Sequence, residues 1–143
     1  MLEQILMAGV ALSLGFAPAP IFREPKPSQL LAAMQGTWEM TGRHKGGTRI
    51  FVRIQKNTWM YVFVTGDVES KGTPSTIVMG NRLGHATIDL KLSTDNSNVL
   101  RAILRVEGDR LTVCHSPATG ERPTGFERGG KGVETMTFAK VRR

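Results

Sequence analysis

Reactive side chains are few and scattered along this chain. Cys114 and His115 are neighbours, and a thiol beside an imidazole is a pairing that nucleophilic catalysis can use. Adjacent residues of an extended segment point to opposite faces, however, so these two cannot easily meet. Cys114 shares its parity with Thr112 on the outward side and reads as a small packing residue. His44, His85 and His115 are widely separated, with no i, i+2 or i, i+4 spacing and no partnering carboxylate pair, so a metal site has no local support. Residues 125–131, "GFERGGK", match the G-x-x-x-x-G-K part of a phosphate-binding loop, but Gly132 replaces the Ser or Thr that would follow. The next stretch, "VETMTFAKV", reads as a strand, whereas such a loop must lead into a helix whose N-terminus holds phosphate. No catalytic residue, metal or cofactor follows from these patterns.

Charge says more about company than about chemistry. A net charge of +7 and a pI near 10.2 favour anionic partners. The basic residues are spread over strands and turns, the longest cluster being Arg142-Arg143, so no arm for specific nucleic-acid binding stands out. The single cysteine excludes an intramolecular disulfide and any zinc site built on several thiolates. Stability must come from packing.

Residues 5–16, "ILMAGVALSLGF", form an uncharged apolar run that is too short to cross a bilayer as a helix and has the length of a signal-peptide core. Small residues follow at Gly15, Ala17 and Ala19, and "APAPIFREPKPSQ" then supplies four prolines in a stiff spacer. We expect residues 1–27 to be a leader and spacer, residues 28–143 to be one folded domain, and the product to act outside the cytoplasm without being an integral membrane protein. Ser28 is the expected cap of a helix of one or two turns, "SQLLAAMQ", whose Leu30, Leu31 and Met34 share a stripe and which Gly36 ends.

Beyond Gly36 the pattern changes to alternation with a period of two. Eight strand-like segments are expected near 36–41, 48–55, 58–65, 75–80, 85–92, 98–106, 109–115 and 133–141. One set of faces is consistently apolar, with Trp38 and Met40, Ile50 to Ile54, Ala86 to Leu92, Leu100 to Val106, Leu111 and Val113, and Met136 and Phe138. Arginine, lysine and aspartate occupy the reverse sides, except in "TWMYVFVT", where both faces look covered. Short turns, "KN", "NRLG" and "EG", follow the even segments, and longer loops follow the odd ones. Eight antiparallel strands joined in sequence can close into a barrel, tightly stitched at one end and loosely lipped at the other. Such a barrel is filled by its own side chains or holds one small ligand.

A helical turn followed by Gly36-x-Trp38 on the first of eight sequential strands resembles the lipocalin superfamily. "MQGTWEM" at residues 34–40, paired with "GDRLTVCHSPATGERPTGF" at residues 108–126, resembles more closely a lipocalin-like family of mostly unknown function that is abundant in planctomycete-type bacteria. The resemblance covers residue 30 to the C-terminus. It implies an all-β, eight-stranded up-and-down barrel, often exported, with no catalytic residues to carry over. It also implies a structural role for Gly36 and Trp38, with Lys140 or Arg142 packed on the indole. The barrel portion is short and no helix follows the last strand, unlike ordinary lipocalins.

These readings point to a non-enzymatic protein, a carrier or sensor, that binds a small apolar or amphipathic ligand in the barrel, and the basic rim would suit an anionic head. The expected lining is Ile50, Val52, Ile88, Leu90, Leu104 and Phe138 within the barrel, with Arg43, Lys45 and Arg122 on the rim. Glu121 and Arg122 are placed to pair locally and pin the long loop. The alternative is a filled barrel whose basic loops dock on an anionic envelope component or a partner protein.

Overall fold

The computed structural model describes residues 17–19, 23–42, 45–92, 98–117, 120–126 and 132–142, with the side chain of Lys45 excluded. The leader run and most of the phosphate-loop-like stretch therefore lie outside the described residues. Helix α1 (Pro27–Met34) leads into nine strands: β1 (Gly36–Met40), β2 (Thr48–Gln55), β3 (Thr58–Thr65), β4 (Val68–Lys71), β5 (Ser75–Arg82), β6 (His85–Leu92), β7 (Val99–Glu107), β8 (Arg110–His115) and β9 (Glu134–Lys140). Eight of them close antiparallel into a barrel in the order β1-β2-β3-β5-β6-β7-β8-β9, with β9 returning to β1. The expected all-β barrel is what the chain forms.

Two local expectations are corrected. Residues 66–74 are not simply a loop, because β4 folds back on the outer half of β3 from Val62↔Lys71 to Thr65↔Val68. Its "VESK" is exposed throughout and carries no apolar alternation, so backbone pairing with β3 and an exposed ion pair from Arg53 to Glu69 at 3.3 Å hold this strand. Ser28 does not cap α1. Lys26 is the N-cap, and Pro27 takes the first helical position, where its fixed φ suits the turn and its missing N–H is no loss. The Lys26 backbone N–H donates to Gln29 Oε1 at 3.2 Å.

Inside the barrel, Val52, Ile88, Leu104, Leu111, Val113 and Phe138 are buried together, and Leu30 and Met34 of α1 close the tight end. Each fully buried side chain of this size contributes about 1.5–3 kcal/mol. Trp59 sits edge-on to both Tyr61 (5.9 Å) and Phe138 (5.8 Å), the offset geometry that aromatic quadrupoles prefer. Gln35 ties α1 to the β2–β3 turn by accepting from the Lys56 N–H at 2.7 Å and donating to the Lys56 carbonyl at 2.9 Å. Gly36 has φ +116°, a conformation that only glycine adopts easily as the helix gives way to strand.

Candidate functional site

The residues named from the sequence divide among three places. Val52, Ile88, Leu104 and Phe138 are fully or almost fully buried in the barrel core, and Ile50 is half-buried nearer the rim. Leu90 also belongs to this core but reaches a cleft at the open end. Arg43 lies outside the described residues, and of Lys45 only the backbone is described. Lys140 Nζ stands 5.3 Å from the centre of the Trp38 ring, whereas Arg142 Nε donates to Asp109 Oδ2 at 3.0 Å. Between the two basic candidates, the indole is covered by Lys140.

Arg122 is not a free rim charge. After β8 the chain turns back, and residues 120–126 lie on the outside of β6, β7 and β8. The Arg122 Nη2 donates to Asp89 Oδ1 at 2.6 Å and its Nη1 to the Ala102 carbonyl at 2.8 Å. Ala102 opposite His115 is the last pair of the β7–β8 ladder towards the open end, so the arginine occupies a backbone acceptor where β8 departs. It pairs with Asp89 rather than locally with Glu121, and the side chains of the pair are only 16% and 24% exposed.

Other contacts fix the same segment. The thiol of Cys114 donates to the Gly125 carbonyl at 3.9 Å, and Thr135 donates to the sulfur at 3.7 Å. Phe126 meets His85 edge-on at 5.6 Å and carries the Arg105 guanidinium over its face at 4.7 Å. Beneath the segment lies a second apolar layer, because Ile103 and Cys114 face outward and are nonetheless buried with Thr87 and Thr112. Ile103, standing between Arg101 and Arg105, was the available sequence signal for this cover.

Folding the segment back leaves two adjoining clefts that share Arg101 and Gly120. The mouth cleft, about 360 Å³, joins the inward-facing Leu90, Leu92 and Leu100 to Arg101, His115 and Ser116. Leu92 is 40% exposed there, and His115 is 3.5 Å from Glu134. The outer groove, about 540 Å³, runs between the β5–β6 turn and residues 120–124.

Inside the barrel, burial of the Tyr61 hydroxyl pushes its pKa up, and the neighbouring Trp59 indole offsets part of that shift. The Tyr61 hydroxyl lies 3.8 Å from the Met136 sulfur, while Trp59 Nε1 is buried without an acceptor among the described residues. His85 and His115 are engaged separately, and no group of three His, Cys, Asp or Glu side chains able to hold a metal ion occurs among the described residues. Nor is any described helix long and apolar enough to cross a membrane. No family model, curated protein or solved structure matches the chain.

Proposed function

We propose that this protein is a non-enzymatic binding protein for a small amphipathic anion, acting outside the cytoplasm, and that it is a lipocalin-like barrel whose binding place has moved from the interior to the mouth. The observation that carries the reading is the mouth cleft. Three leucines provide an apolar floor for the ligand body, and Arg101 with His115 stands at the edge where an anionic head would be oriented. Its volume falls in the range of small-molecule sites, at roughly 300–1,000 Å³.

The test is a fluorescence titration with 1-anilinonaphthalene-8-sulfonate, which joins an aromatic body to one sulfonate. Saturable one-to-one binding that Leu92→Ser weakens supports the reading, since partly exposed Leu92 can change without collapse of the core. Absence of saturable binding, or an affinity indifferent to Leu92→Ser, overturns it.

A second reading, a filled interaction module that docks on an anionic envelope component or partner protein, draws on the packed interior and on the overall charge. Under that reading the mouth cleft stays empty, and binding to anionic vesicles or to a partner protein tracks the exposed basic residues and weakens with salt.

A further inference from the structure

We propose that the outer groove between the β5–β6 turn and residues 120–124 is a second binding site, for a small phosphomonoester. This inference does not rest on the mouth cleft. The lining of the groove holds three arginines, Arg82, Arg101 and Arg122, and one carboxylate, Glu121. Arg82 reaches it from the end of β5 and Arg101 from the outer face of β7, and neither makes an ion pair among the described residues. Arg122 adds a third positive charge behind them but no free donor, because its terminal nitrogens are spent on Asp89 and Ala102 and its Nε is enclosed.

A phosphate monoester supplies what this wall lacks. Its oxygens match the planar fork of arginine, and two forks approaching from different strands can share one phosphate. Three arginines face two carboxylates here, Glu121 in the wall and Asp89 at the pair, so the surplus suits one compact anion. A polyanionic strand would need a longer basic track.

The turn that forms the lip has an unusual build. Leu83 has φ +50° and is 75% exposed, which combines backbone strain with an unburied apolar side chain. Lys56, the other non-glycine residue with positive φ among the described residues, is held by Gln35 at both its N–H and its carbonyl. Leu83 has no such restraint among the described hydrogen bonds, and its side chain offers the groove an apolar edge for the organic part of the ester.

Isothermal titration with glucose 6-phosphate, glucose and inorganic phosphate tests the site. The phosphate ester is expected to bind saturably and glucose at least tenfold more weakly, with Arg82→Gln lowering the ester's affinity about tenfold, as loss of one charged hydrogen bond requires. Arg82 lines the outer groove but not the mouth cleft, and Leu92 the reverse. Leu92→Ser should therefore change ester affinity by less than about twofold, within the ordinary reach of a surface substitution. Equal binding of glucose and its phosphate, an Arg82→Gln variant with unchanged ester affinity, or no ester binding overturns the inference and leaves the sulfonate titration at the mouth unaffected.

Discussion

Trp38 Nε1 donates a 2.8 Å hydrogen bond to the carbonyl of Met34, and both residues are fully buried. That carbonyl belongs to the last turn of α1, where helices leave acceptors unpaired, so the first strand satisfies the end of the helix that plugs its barrel. Trp38→Phe should destabilise the fold by about 1–3 kcal/mol, because the carbonyl stays buried without a donor. Lys140→Met, which removes the cation over the ring and keeps much of the side-chain volume, should cost only about 0.5–1 kcal/mol. Urea midpoints of the two variants give the comparison, and equal losses would refute it.

Arg122 and Asp89 form a mostly buried pair, so removing one partner strands the other. Arg122→Ala should lower stability by about 1–3 kcal/mol, less than for a fully enclosed charge because both side chains retain some solvent. The lone thiol provides a local readout. Cys114 is fully buried beneath residues 120–126, so its alkylation in the native protein requires opening. Alkylation should accelerate at least about tenfold in Arg122→Ala if the clamp contributes about 1.4 kcal/mol to closure. An unchanged rate would mean that Phe126 and the Cys114–Gly125 contact hold the segment alone.

Tyr61 makes the fold sensitive to alkali. Its folded pKa is raised above the ordinary 10.0, with burial as the main cause. The unfolded chain therefore releases this proton at lower pH than the folded one, and stability present below about pH 10 declines as pH rises through the folded pKa. Tyr61 is the only tyrosine in the chain, so tyrosinate absorbance reports this group alone. Tyr61→Phe should flatten the decline of the urea midpoint above pH 10, and an equally steep decline in the variant would assign the effect elsewhere.

Ile88 belongs to the expected ligand lining yet is fully buried among core side chains. Ile88→Ala should cost about 2–5 kcal/mol through lost burial and a new void. Ile88→Val should cost about 0.5–1.5 kcal/mol and leave sulfonate binding at the mouth unchanged. A large change in that binding with intact stability would return the ligand to the interior.

The ring of eight strands was legible because it is written in parity. Arg49, Arg53, Arg101 and Arg105 alternate with Ile50, Val52, Ala102 and Leu104, and only a closed or covered sheet satisfies such faces. The fold-back of residues 120–126 was not legible, since Arg122 meets Asp89 across 33 positions and no local pattern encodes that distance. The same applies to the clefts, whose walls come from β5, β6, β7 and the returning segment. Strand β4 escaped notice because its side chains are solvated on both sides. Lys140 and Arg142 were equivalent in sequence, and the choice between them depended on where Asp109 lies after folding.

The β3–β5 ladder holds only two pairs, Thr58↔Thr76 and Trp59↔Ser75, against eight in each of the β2–β3 and β5–β6 ladders. A cylinder is as strong as its weakest stave, and this is where the wall would part first under tension or mild heating. Parting there would bare the stacked Tyr61 and Phe63 rings and the unpaired flank of β5, a sticky edge ready to zip onto another molecule's strand. The short β4 flap lies across the outer part of that seam, and its Glu69 and Lys71 place charge where such a stranger would have to dock.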